Sequence, residues 1–140
     1  MRTIEHWIGG KPTGGSASRR GRVWNPATGE QQAEVGLASK QDVDTAVAAA
    51  RDAFTEWSQA SLSKRTSVLF RFRELVAANL DRVAEAITDE HGKVLSDARG
   101  EVQRGLEVVE FACGIPQLLK GDFSSQVSTG VDLYSFREPL

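Results

Sequence analysis

The sequence contains little cysteine and no long apolar stretch. Cys113 is the single cysteine among 140 residues, so an internal disulfide framework is excluded, and this composition is typical of a reducing compartment. No run of 18 apolar residues exists, and the segment Met1–His6 lacks the apolar core of a signal peptide. We therefore expect a soluble, cytoplasmic protein.

An excess of positive charge is also absent. The chain has 17 basic and 19 acidic residues, a net charge of −2, and its basic residues form neither a stripe nor a long run. Nucleic acids and anionic membranes attract proteins through such basic surfaces. We therefore expect neither a nucleic acid nor a membrane as a partner.

Phosphate-binding loops and metal-ligand clusters are missing from the sequence as well. Neither G-x-G-x-x-G nor G-x-x-x-x-G-K-[ST] occurs, so no glycine-rich phosphate loop of these two kinds is encoded. The two histidines, His6 and His91, are too isolated to indicate a metal site. His91 falls in the last turn of a predicted helix, which favours a structural role.

The first 36 residues predict short strands joined by turns. Ile4–Ile8 predicts one short strand that ends at a glycine pair, and the proline that follows excludes a central position in a sheet. Residues 13–21, rich in glycine, serine and arginine, predict an exposed loop. Asn25–Gly29 predicts a turn between two further extended segments, Val23–Trp24 and Gln31–Val35.

Three helical blocks follow. The first begins at Ser39, which forms a capping-box pattern with Asp42, and its apolar residues recur at three- and four-residue steps. The second carries apolar residues from Val68 to Ile87 and ends at Gly92, which suits the left-handed position after a helix. Asn79-Leu-Asp81 predicts a division of this block into two helices, because both polar residues favour caps.

The third block begins near Ser96 and continues to Cys113. Gly105 in its middle costs about 1 kcal/mol relative to alanine, and it indicates either the close approach of another backbone or a ligand, or simple drift. Pro116 ends or kinks this helix, since proline lacks the amide hydrogen that a helix interior needs. Residues 117–130 predict a connection.

The last segment, Val131–Phe136, alternates with a period of two residues, which predicts a strand. Pro139 follows it and cannot donate to a ladder. A terminal strand with both faces partly apolar is an unpaired edge unless something pairs with it. We therefore expect the 140 residues to be the front of a longer protein.

Two side chains are candidates for chemistry. Cys113 lies on the apolar seam of the third helix with no histidine near it in sequence, which favours a buried structural residue over a nucleophile. Arg104 is offset from that seam beside Gly105, and its guanidinium can bind a carboxylate through two parallel hydrogen bonds. An ion pair with Glu101 or Glu107, or solvation, is the alternative.

Six segments, in order along the whole chain, resemble the opening of the aldehyde dehydrogenase superfamily. They are Trp7-Ile-Gly-Gly-Lys11, Val23-Trp-Asn-Pro-Ala-Thr-Gly-Glu30, Asp42-Val-Asp44, Ala53-Phe54 with Trp57, Asp89-Glu-His-Gly-Lys93 and Phe136-Arg-Glu-Pro-Leu140. The resemblance implies an α/β fold: the N-terminal hairpin and helices of an aldehyde dehydrogenase NAD-binding domain, ending in the first oligomerisation strand. Residues 1–125 would be the incomplete NAD-binding domain and residues 126–140 the start of the oligomerisation segment.

The stretch Gly100–Pro116 resembles the methylmalonate-semialdehyde dehydrogenase group of this superfamily. That resemblance implies oxidation of methylmalonate or malonate semialdehyde with NAD, and transfer of the acyl group to coenzyme A with loss of carbon dioxide. It also implies a homo-tetramer or dimer for the full-length protein. Two interpretations stay open beside it: another aldehyde dehydrogenase that acts on a neutral aldehyde, and a non-enzymatic helical interaction module.

The resemblance assigns few site residues to this chain. Arg104 matches an arginine that helps bind the substrate carboxylate, and Glu101 with the Val35 carbonyl matches a monovalent cation site. The nucleophilic cysteine, the general-base glutamate, the oxyanion asparagine and nearly all NAD contacts are implied beyond Leu140. We therefore expect the chain alone to hold neither catalytic nor cofactor-binding residues and to be inactive.

Overall fold

The fold, a computed structural model that describes residues 2–16 and 18–139, places short strands before a run of helices and a β-hairpin after them. Ala17, in the predicted loop 13–21, lies outside the described residues. The strands before the helices are β1 (Arg2–Ile4), β2 (His6–Ile8), β3 (Lys11–Thr13), β4 (Arg20–Trp24) and β5 (Gln31–Gly36). The helices are α1 (Lys40–Trp57), α2 (Leu62–Ala78), α3 (Leu80–His91), α4 (Leu95–Ala112) and α5 (Ile115–Leu118), and the hairpin strands are β6 (Phe123–Ser128) and β7 (Val131–Tyr134).

The predicted single strand Ile4–Ile8 is wrong, because the chain changes sheets at Glu5. β1 pairs in parallel with β5, whereas β2 forms an antiparallel hairpin with β3. Gly9 and Gly10 join β2 to β3 with φ of 62° and 79°, the left-handed pair that a tight two-residue hairpin turn requires. Three-residue strands in two different sheets cannot be told from one five-residue strand by alternation alone.

The first sheet has the order β1-β5-β4, with β5 in its centre. The predicted turn between β4 and β5 is confirmed: the Gly29 N–H donates to the Asn25 carbonyl at 2.8 Å, and Gly29 has a φ of 74°. The predicted loop 13–21 ends earlier than expected, because Arg20 already pairs with Gly36 across the sheet.

The capping box at the start of α1 is confirmed. The Ser39 hydroxyl accepts the Asp42 N–H, and the Asp42 carboxylate accepts the Ser39 N–H at 2.8 Å. The other carboxylate oxygen accepts the Ser16 N–H at 2.8 Å, so Asp42 also fastens the loop before β4 to the helix. Asp42 is 8% exposed, and the hydrogen bonds from Ser39, with a smaller contribution from Ser16, lower its pKa from 3.8 to about 2.

We expect Asp42→Asn to destabilise the chain at neutral pH and to lose that effect in acid. The folded-state pKa of about 2 lies below the unfolded value of 3.8, so the carboxylate stabilises the fold above pH 3.8 and stops doing so as the pH falls through about 2. Urea midpoints measured from neutral pH to pH 2 test this. Asp44→Asn, which removes only an exposed pair with Lys40, is the control and should shift the midpoints little.

The predicted division of the second helical block is confirmed. Asn79 is the C-cap of α2, and its side-chain amide donates to the Leu75 carbonyl at 2.8 Å. α3 begins directly afterwards and ends before Gly92, which has a φ of 80° and donates its N–H to the Thr88 carbonyl at 2.8 Å. Asn79 and Gly92 thus end their helices as predicted, each through hydrogen bonds to residues close in sequence.

Pro116 does not end the third helix. α4 ends at Ala112, and Pro116 lies in the first turn of the short helix α5, where the missing N–H has no helical partner to lose. Cys113 is buried, as predicted, with 8% of its surface exposed. Apart from its chain neighbours and the nearby backbone of its own helix, no described atom lies within 4 Å of a Cβ built on Gly105, so the predicted close approach of another backbone is not found among the described residues.

The predicted connection 117–130 and the expected unpaired last strand are both wrong. β6 and β7 form an antiparallel hairpin in which Phe123 lies opposite Tyr134, with their ring centroids 4.7 Å apart. β6 is irregular: Gln126 has a φ of 51°, and the strand register shifts between Ser124 and Ser128, which disrupts the two-residue period of the strand. The last strand therefore has a partner within the chain, although every residue of both strands is exposed.

The chain divides into two compact units, Met1–Ala60 with Leu80–Val102, and Ser61–Asn79 with Gln103–Leu140. The buried apolar residues of the first unit are Ala33, Ala84, Ala98 and Val102, and those of the second are Leu106 and Cys113. Large apolar side chains in both units are about half exposed, among them Val43, Val47, Phe54, Val68, Phe72 and Leu75. Each unit therefore has a small core and uncovered apolar faces.

The predicted boundary between residues 125 and 126 falls inside β6. The assignment of residues 1–125 and 126–140 to two domains stays a prediction. In the part of the chain that the structure describes, no helix is both long enough and apolar enough to cross a membrane.

Candidate functional site

Arg104 lies on the exposed side of α4, in the unit that contains residues 103–140. Val102 and Leu106, on either side of it in sequence, point the other way and are 6% and 5% exposed. Helical geometry explains this contrast, since residues two apart face opposite sides of a helix. The backbone of α4 is thus anchored by its buried face and presents the guanidinium outward.

The alternative ion pairs of Arg104 are not formed. Glu101 binds the Lys93 ammonium at 2.5 Å, and a Glu107 carboxylate oxygen accepts a long hydrogen bond of 3.5 Å from Gln103. Among the described residues, none forms a hydrogen bond or an ion pair with the Arg104 guanidinium. All of its donors are therefore available to a carboxylate that approaches from outside.

Two large apolar side chains lie on the same exposed face of α4 as Arg104. Val108 and Phe111 follow it at steps of four and seven residues, and each is 68% exposed. The sequence analysis missed them because it considered only the apolar positions of this helix that are buried in the structure. Their spacing from Arg104 was the available signal, since positions i, i+4 and i+7 share one side of a helix. One cation beside apolar surface suits a small ligand with a carboxylate and a short carbon chain.

In the predicted monovalent cation site, the Glu101 carboxylate already forms an ion pair. Val35 belongs to β5, which pairs on both edges, and the Glu101 carboxylate is already neutralised by Lys93. A cation at Glu101 would compete with that ammonium, so the residues fit the ion poorly as they stand. Among the described residues, no group of three or more His, Cys, Asp or Glu side chains is placed to hold a metal. The site at Glu101 and Val35 stays a prediction.

The ion pair between Lys93 and Glu101 is the contact near the site that sequence reasoning missed. Lys93 lies in the short link between α3 and α4, and its ammonium returns to the second turn of α4 at Glu101. A basic residue directly after a helix-ending glycine and an acid eight positions later carry no periodic signal. Only the geometry of the link shows that they meet.

Cys113 lines a cleft of about 350 Å³ in the second unit, together with Phe70, Arg73, Glu74 and Glu110. Arg73 donates from both Nε and Nη2 to one oxygen of Glu110, at 2.9 and 2.6 Å. None of the five residues is a histidine that could take a proton from the thiol. The expectation that this chain holds no catalytic residue stays a prediction.

The profile of the aldehyde dehydrogenase family matches residues 14–140 of the chain. Malonate-semialdehyde dehydrogenase 2 of Geobacillus thermodenitrificans (strain NG80-2) is 42% identical over 139 residues, which cover 99% of this chain and 29% of that protein. The chain thus spans less than a third of the length of the curated relatives it matches.

Solved structures give the same answer for the fold. A methylmalonate-semialdehyde dehydrogenase of Sinorhizobium meliloti 1021, in complex with NAD, superposes with a TM-score of 0.92 at 41% identity and covers 100% of this chain and 28% of that one. The methylmalonate-semialdehyde dehydrogenase of Oceanimonas doudoroffii gives 0.89 at 45% identity, over 97% of this chain and 28% of that one. The predicted α/β arrangement of N-terminal strands and helices is confirmed by these matches.

Proposed function

The chain belongs to the aldehyde dehydrogenase family, and from this we propose that the whole protein oxidises malonate semialdehyde or methylmalonate semialdehyde. The names of its relatives support this substrate class, because the proteins that are 41% to 45% identical are named for these two aldehydes. The observation that carries the proposal is the Arg104 guanidinium, which has no partner among the described residues and stands beside exposed apolar side chains.

Arg104 would bind the carboxylate of the substrate. A bidentate pair between guanidinium and carboxylate fixes both the distance and the plane of the bound group. Such charge-assisted hydrogen bonds contribute about 1.5–3 kcal/mol, which is enough to sort carboxylated aldehydes from neutral ones. The buried face of α4 would hold the helix backbone in place while Arg104 performs this recognition.

NAD and coenzyme A belong to the same proposal: the first would accept the hydride and the second the acyl group, with carbon dioxide lost from the carboxylated substrate. The chain contains no glycine-rich phosphate loop and no described residue that we can assign to either molecule. A homo-tetramer or dimer in the cytoplasm completes the proposal, and light scattering of the whole enzyme tests the assembly.

A chimeric enzyme provides the functional test. Residues 1–140 of this chain replace the matching 28% of the Sinorhizobium meliloti protein, whose structure superposes over the full chain. We expect this chimera to prefer malonate semialdehyde over propanal, and Arg104→Ala to lower kcat/KM for malonate semialdehyde by about 10- to 150-fold. The kcat/KM for propanal should be nearly unchanged, because propanal has no carboxylate that Arg104 could bind.

Arg71→Ala is the matched control, since it removes another exposed guanidinium from the same unit. This variant should leave kcat/KM unchanged for both malonate semialdehyde and propanal. Equal losses for both substrates in the Arg104 variant would show that the carboxylate role is wrong. A chimera that prefers propanal would favour the alternative of a neutral-aldehyde dehydrogenase. An inactive chimera, with sharp monomeric unfolding of the 140-residue chain, would favour a helical interaction module.

A further inference from the structure

Gly105 occupies a position where the described chain gives no reason for glycine. It lies in the interior of α4, where glycine is less favourable than almost any other residue. Its backbone is ordinary right-handed helix, and a Cβ built on it meets no described atom within 4 Å beyond its chain neighbours and the nearby backbone of the same helix. Neither the backbone conformation nor the packing within the described residues requires that position 105 lack a side chain.

The surroundings of Gly105 supply a reason of another kind. Arg104 precedes it with an unpartnered guanidinium, and Val108 lies one turn further along with 68% of its surface exposed. Helical side chains lean toward the N-terminus, so Val108 leans toward the turn that contains both residues. The bare backbone at Gly105 therefore borders a surface that combines one cation with apolar carbon.

We propose that Gly105 is a specificity-determining residue that leaves room beside Arg104 for the carboxylated end of the aldehyde. This inference rests on the proposed function. For a guanidinium to bind a carboxylate through two parallel hydrogen bonds, both groups must lie in one plane. In the proposed arrangement, the carbon next to the carboxylate, with its hydrogen or methyl branch, would lie over the bare backbone at Gly105. A side chain at position 105 would stand in that space.

Gly105→Ala in the chimeric enzyme tests the proposal. We expect kcat/KM for methylmalonate semialdehyde to fall about tenfold, the usual effect of one methyl group in a fitted pocket, and propanal to change less than about twofold. The melting temperature should stay the same or rise, because alanine favours a helix and its Cβ enters open space. Gly105→Val should deepen the selective loss.

Gln103→Ala is the control. It also places alanine in the interior of α4, by shortening an exposed side chain that is turned away from Val108, and it should leave the preference among substrates unchanged. If Gly105→Ala instead lowers the melting temperature and the turnover of every substrate alike, another part of the enzyme fills the space, and the proposal is overturned.

The Arg104 variant separates the failure of this inference from that of the proposed function. If Gly105→Ala changes no substrate while Arg104→Ala keeps its selective loss, the role of Gly105 is wrong and the carboxylate role stands. If Arg104→Ala shows no selective loss, the proposed function fails, and the inference about Gly105 falls with it.

Discussion

Replacing Gly121 with alanine will open the base of the β6–β7 hairpin. A Cβ at this position would overlap the carbonyl oxygen of Ser135 and lie 2.7 Å from its carbonyl carbon. Both are backbone atoms, so no side-chain rotation can relieve the clash. The Ser135 N–H donates to the Asp122 carbonyl at 2.9 Å, and the Asp122 N–H donates to the Ser135 hydroxyl at 2.8 Å. We expect the backbone shift that relieves the clash to break these two hydrogen bonds, because they join the residues next to and at the contact.

We expect a loss of at least about 2 kcal/mol in the stability of the hairpin, from overpacking and from the broken hydrogen bonds. Hydrogen exchange of the amides in residues 121–136 measures it, and their protection should fall by more than about tenfold. Gly130→Ala is the control in the same hairpin: its φ of 74° adds strain, but beyond its two chain neighbours no described atom lies within 4 Å of the new Cβ. Equal loss of protection in both variants would refute a role for the contact with Ser135.

The parts of the fold that the sequence predicts well are those decided within a few residues. Ser39 and Asp42 form their capping box through neighbouring backbone groups, and Asn79 and Gly92 end their helices through local hydrogen bonds. In each case the sequence pattern indicates both the residue and the nearby group with which it forms a hydrogen bond. For this reason the start of α1 and the division between α2 and α3 are confirmed to the residue.

The parts that the sequence does not predict depend on partners far along the chain. β1 pairs with β5, about thirty residues later, while β2 turns back on β3, so one apparent strand becomes two. β6 is a strand because β7 pairs with it, and its own composition of serine and glutamine gives no period. Strand identity comes from pairing, and pairing is not written in the local pattern.

The candidate site shows the same division. Arg104 was found because its sequence neighbourhood resembles a known group, and its position beside the buried seam of α4 placed it outward. That it lacks a partner could not be predicted, because this depends on Glu101 being taken by Lys93, which lies in a link outside the helix. The exposed Val108 and Phe111 were visible only once the buried face was known.

Replacing Gly92 with alanine will destabilise the first unit through two separate effects. Gly92 has a φ of 80°, and a residue with a Cβ costs about 1–2 kcal/mol in that conformation. The new Cβ would also lie 2.8 Å from Cγ of Pro26, whose ring cannot rotate away. Overpacking of this kind costs about 1–3 kcal/mol more. Thermal and urea unfolding of the chain should therefore show a loss of about 2–5 kcal/mol.

The two effects can be separated, because Gly29 offers the same backbone without the contact. Gly29 has a φ of 74° and, beyond its two chain neighbours, no described atom within 4 Å of its Cβ position, so Gly29→Ala should show the conformational cost alone. Pro26→Ala combined with Gly92→Ala should then recover part of the difference, since neighbouring substitutions that share one clash are not additive. If the double variant is no more stable than the sum of the single variants predicts, Pro26 does not press on Gly92. Recovery would establish that the turn after β4 packs on the end of α3, directly before the lysine that binds Glu101.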